Sequence, residues 1–69
     1  MEVIVGEIRM ERKISLRQLA RMSGVKRSHL SDIENNKVSP TLDELDALAR
    51  ALNVEIEDLY IKNKGHKLE

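Results

Sequence analysis

The sequence contains no cysteine, phenylalanine or tryptophan, and only one tyrosine and one proline. Without thiols, neither a disulfide framework nor a thiolate metal site is available to staple the fold, and a reducing, cytoplasmic setting is expected. With Tyr60 the sole aromatic, the core has to come from Leu, Ile, Val, Met and Ala, which suits packed helices better than an aromatic-rich sheet sandwich. No apolar run approaches the roughly 18 residues of a membrane span. The short apolar stretch Met1 to Gly6 is interrupted by Glu2 and followed by Glu7, so neither secretion nor membrane insertion is expected. His29 and His66 are the only histidines, which leaves no metal-ligand spacing. No glycine-rich phosphate loop or positioned nucleophile is present, so no cofactor, no metal and no enzymatic activity are expected.

What is present is charge, unevenly placed. The formal net charge is zero, which argues against indiscriminate polyanion binding. Residues 1–37 nevertheless carry eight Lys and Arg against five acids, a balance of +3, which residues 38–69 cancel. Such asymmetry points to a basic face with a specific partner. A chain of 69 residues holds one domain, burying roughly 60% of the surface its unfolded form exposes.

Helical periodicity runs through most of the sequence. Ile4, Val5 and Ile8 form a short stripe that predicts a first helix over about Val3 to Arg12, with Gly6 a weak point. Ser15-Leu16-Arg17-Gln18 matches an S-x-x-Q capping box, and Ile14 can staple onto Leu19, so a second helix is predicted to start there. Gly24 sits where a left-handed cap ends it, and Val25 follows as an apolar plug. A third helix is predicted from Arg27 to about Asn35, with Leu30 and Ile33 inward. Asn35 to Pro40 reads as a loop. Thr41-Leu42-Asp43-Glu44 is a second capping box, opening a helix with Leu42, Leu45, Leu48, Ala49 and Leu52 in strict helical period and Asn53 at its end. Asp43, Glu44 and Asp46 complement the dipole at its start. Ile56, Leu59 and Tyr60 predict a fifth helix to about Lys62, followed by a disordered tail over 63–69. The predicted fold is therefore an all-α five-helix bundle over residues 1–62.

The most demanding pattern is Leu16 to Asn35: two short helices, a small Ala20 where they cross, Gly24 in the turn, Val25 at the corner, and Leu30 and Ile33 as anchors. This is the spacing of a helix-turn-helix. Arg9, Ile14 to Ala20, Gly24-Val25, Leu30 to Glu34, Ser39 to Leu42 and Ala49 to Val54 together resemble the Cro and phage-repressor class of helix-turn-helix proteins, the XRE family, over nearly the whole chain. The resemblance implies a cytoplasmic transcriptional regulator, in the main a repressor, that binds double-stranded DNA. It also implies an ion pair between Arg9 and Glu34. Three positions depart from the family pattern: Leu16 replaces a frequent Gln, Lys26 replaces the usual Ser or Thr cap, and Asp32 stands where a base-contacting residue is common.

The third helix agrees with that reading on geometry alone. At about 100° per residue, Arg27, Ser28, Ser31 and Asp32 fall within roughly 140°, opposite Leu30 and Ile33. Arg27 can bond guanine O6 and N7, the serines most base edges, and Asp32 cytosine N4. Ser15, Arg17, Lys26, Asn35, Lys37 and Ser39 are the candidate phosphate contacts, on both sides of the groove. For each of these the alternative is capping or simple solvation, and His29 lies at the flank. A homodimer on a palindromic operator is expected, with Ile56, Leu59, Tyr60 and Ile61 divided between the dimer surface and the core. With no ligand-sensing domain in view, a regulatory partner protein is a further expectation. The rival reading keeps the fold but makes it a protein-interaction module, such as the antitoxin of a toxin–antitoxin pair.

Overall fold

Both oxygen-bearing caps form as their sequences specify. Ser15 Oγ accepts the Gln18 N–H at 3.0 Å while Gln18 Oε1 accepts the Ser15 N–H at 2.9 Å. Thr41 and Glu44 do the same at 3.1 and 2.9 Å. These reciprocal bonds satisfy backbone donors that a helix start otherwise leaves free. They fix the first residues of two of the four α-helices in this structure, a computed structural model that describes residues 2–61. The helices are α1 (Val5–Glu11), α2 (Leu16–Ser23), α3 (Arg27–Glu34) and α4 (Leu42–Leu52). Two short strands, β1 (Glu2–Val3) and β2 (Tyr60–Ile61), pair antiparallel, with Glu2 opposite Ile61 and Val3 opposite Tyr60.

The expected fifth helix is therefore replaced. Ile56–Leu59 is a single 3₁₀ turn, and the chain straightens at Tyr60 into β2. An i, i+3 apolar spacing such as Ile56 and Leu59 serves a 3₁₀ turn as well as an α-helix. The decision falls to the N-terminus: Ile4 N–H donates to Leu59 O at 2.8 Å, and a continuing helix would have drawn that carbonyl into its own ladder. The same pairing takes Val3 out of the expected first helix, which starts at Val5. The expected tail over 63–69 lies outside the described residues.

The fully buried side chains Val5, Leu19, Leu30, Ile33, Leu48, Leu52 and Leu59 come from all four α-helices and the 3₁₀ turn. Each contributes roughly 1.5–3 kcal/mol by leaving water. Leu59 thus belongs wholly to the core and offers nothing to a dimer surface. Pro40 is buried in the loop before α4, and Asn53 ends α4 in the left-handed conformation, φ 60°. No helix among the described residues is long and apolar enough to cross a membrane.

Candidate nucleic-acid interface

The corner between α2 and α3 is built by three consecutive residues. Gly24 adopts φ 81°, a left-handed conformation that costs a side-chain-bearing residue energy, and its N–H closes α2 on Ala20 O at 2.9 Å. Val25 is buried at the bend. Lys26 then occupies the N-cap of α3 with no side-chain bond to the free backbone donors, and its side chain is exposed. Beyond it, Arg27 and Ser28 are exposed and Ser31 and Asp32 half-buried, while Leu30 and Ile33 on the opposite face are fully enclosed. The polar face of α3 is turned outward.

Arg27 shares an open notch with Ser15, Leu16 and Arg17 from the start of α2. Arg17, Lys37 and Ser39 are exposed. Asn35 is exposed too, but its amide donates back to Ser31 O at 2.9 Å and so already helps to finish α3. Ser15 is likewise engaged in its capping box. The excess of positive charge lies on α2 and the α3 start, through Arg17, Arg21, Lys26 and Arg27. The acids Asp43, Asp46, Glu55, Glu57 and Asp58 lie on α4 and around the 3₁₀ turn.

Behind its exposed face, α3 is held at both flanks. Arg9 Nε donates to Glu34 Oε2 at 2.8 Å and Arg9 Nη2 to Glu34 Oε1 at 3.1 Å, a two-pronged pair with side chains only 15% and 12% exposed. The bond to Glu34 raises the Arg9 pKa above its ordinary value, so the guanidinium stays charged. Its Nη1 also donates to Ile14 O at 2.9 Å, tying α1, the start of α2 and the end of α3 through one side chain. On the other flank His29 Nε2 donates to Glu44 Oε2 at 2.9 Å; since a carboxylate oxygen only accepts, the proton is on Nε2. His29 thus faces α4, and Glu44 serves both its capping box and this link.

Two further supports carry little sequence signal. A Cβ on Gly6 would stand 3.1 Å from Glu34 Oε1, so this glycine inside α1 gives the ion pair room. Asn36, at φ 59°, accepts the Val3 N–H at 2.9 Å and donates to Val3 O at 3.3 Å, pairing the edge of β1 that faces away from β2. Gly6 had a visible cue, a glycine breaking a helical stripe. Asn36 had only the general tolerance of Asn for left-handed turns.

A helix-turn-helix family profile matches residues 5–59. This chain belongs to the helix-turn-helix family. The immunity repressor protein of Bacillus phage phi105 is 43% identical over 52 residues, covering 75% of this chain and 36% of that protein. The chain spans about a third of the length of the curated relatives it matches. Among solved structures, the restriction-modification controller protein C.AhdI from Aeromonas hydrophila superposes with a TM-score of 0.78 at 30% identity, over 81% of this chain and 85% of that one. A chain of the SinR protein/SinI protein complex superposes with a TM-score of 0.77 at 32% identity, over 94% and 63%. In this helix-turn-helix domain, α2 and α3 are the two helices of the motif.

Proposed function

We propose that this helix-turn-helix domain binds a palindromic DNA operator as a dimer and represses transcription, with α3 in the major groove. The observation that carries the reading is the outward face of α3: Arg27, Ser28, Ser31 and Asp32 on a helix clamped from behind by Arg9–Glu34 and His29–Glu44. A rigid helix presenting a bidentate donor is what base-edge readout requires. Arg27 is assigned to guanine, Ser28, Ser31 and Asp32 to neighbouring bases, and Arg17, Lys26, Lys37 and Ser39 to phosphates, with Ser15 and Asn35 acting there only through atoms their local bonds leave free. Kinship with a phage immunity repressor supports repression as the outcome.

The dimer surface is assigned to the groove beside α4 and the 3₁₀ turn, where Leu42 is 70% exposed, Ile56 and Tyr60 are half-buried, and Ala49 and Val54 also line the wall, together with the adjoining residue Ile61, 47% exposed. A two-fold dimer places its recognition helices about one helical turn (~34 Å) apart. The same groove, where charged Asp46, Arg50, Glu55 and Glu57 surround the apolar side chains, suits a regulatory partner protein, and one structural neighbour was solved as a SinR–SinI complex.

Selecting bound sequences from a random duplex pool tests the reading. A palindrome should emerge, and Arg27→Ala should cost about 1–3 kcal/mol and relax preference at one base pair per half-site. Recovery of no enriched sequence would refute it.

A further inference from the structure

The notch between the first turns of α2 and α3 is not uniformly polar. Leu16, the first residue of α2, is half-buried: it packs partly on the core and also lines the notch beside Arg17 and Arg27. Among the described residues no acidic one lines the notch, and its surface is more apolar than polar. On the floor of the major groove only one group is apolar, the C5-methyl of a pyrimidine, and the partner that two guanidinium donors fit best is the O6/N7 edge of guanine. Bases stacked in one strand lie about 3.4 Å apart, so side chains sharing one notch meet neighbouring steps. The aliphatic stem of an Arg also covers apolar surface while its head bonds elsewhere.

We propose that this notch reads a 5-methylpyrimidine next to guanine, with Leu16 packing on the methyl group and Arg27 bonding the guanine edge. Resting on the DNA-binding reading, the proposal makes Leu16 a specificity residue and accounts for an apolar side chain at the mouth of a basic face. Arg17, on the same notch, neutralises the phosphate alongside.

The test uses two random duplex pools, one of them methylated at C5 of cytosine in CG steps. Selection with the purified protein should enrich a T-G step in each half-site from both pools if thymine is the source of the methyl, or a methylcytosine-G step from the methylated pool alone if methylcytosine is. On the selected duplex, removing only that methyl, with uracil for thymine or cytosine for methylcytosine, should weaken binding about fourfold for each half-site changed. Leu16→Gln, which keeps the size but adds a polar end, should bind both duplexes equally while keeping its salt dependence. The methyl-removal arm leaves the protein unaltered, so it decides the matter even if the variant melts early. An enriched operator bound equally with and without the methyl overturns the assignment of the notch and leaves DNA binding standing. Enrichment of nothing from either pool overturns both.

Discussion

Removing one partner of the Arg9–Glu34 pair should destabilise the domain far more than an ordinary surface charge does. With the two side chains 15% and 12% exposed and joined by two bonds of 2.8 and 3.1 Å, the pair lies between two limits. Exposed pairs are worth about 0–1 kcal/mol, and orphaning one member of a buried pair costs about 3–5 kcal/mol. Glu34→Ala should therefore cost about 2–3 kcal/mol. At about 4–8 °C per kcal/mol for a domain of this size, the melting temperature should fall by roughly 10–20 °C. Arg9→Met should cost at least as much, because Ile14 O loses its donor as well. Replacing both, Arg9→Met with Glu34→Ala, should cost less than the sum of the singles, since no buried charge is then left without a partner. Thermal melts of the four proteins by circular dichroism give the coupling directly. Single variants within about 0.5 kcal/mol of the parent, the size of an ordinary surface substitution, with additive losses, would refute the reasoning.

Lys26→Ser should raise stability by about 1 kcal/mol, because it supplies the missing N-cap oxygen and removes a cation from the positive end of the α3 dipole. It should also weaken DNA binding and lower the salt slope by about one phosphate; melts and titrations on the one variant check both, and a stabilised protein with unchanged affinity would confine Lys26 to being a poor cap. The Glu44 carboxyl is held below its ordinary range, chiefly by accepting the Thr41 backbone N–H, with His29 adding to it. A depressed folded value means that its contribution is complete above the unfolded carboxylate value, about 4.3, and is lost as pH falls through the folded value. Glu44→Gln should therefore melt with a flatter acid limb than the parent, and superimposable profiles in that range would contradict this.

The elements that could be read from the sequence were those specified by contacts close along the chain. Ser15 with Gln18, Thr41 with Glu44, Gly24 and Asn53 each act within four residues, so α2 and α4 start and end within a residue or so of where their caps place them. The outward face of α3 follows from helical period once Leu30 and Ile33 are inward. The fifth helix failed because its outcome depends on a partner far away in sequence: Ile4 takes the Leu59 carbonyl, and no local pattern around Ile56 announces it. The role of Asn36 was illegible for the same reason, and Gly6 showed as a break in the helical stripe without showing what it makes room for, since each acts on a residue about thirty positions away. His29 read as a flanking surface residue because Glu44, its partner, already had a complete role in a capping box.

Whether α3 and the basic residues around it hold operator DNA is decided by titrating the purified protein against its selected duplex and a scrambled one at several salt concentrations. Affinity for the selected duplex should exceed that for the scrambled one by at least about a thousandfold. It should also fall steeply with salt, by about 0.9 log units per tenfold salt for each phosphate neutralised, with several phosphates engaged. Equal affinity for both duplexes, or a flat response to salt, would contradict the account and leave a protein-interaction module in its place.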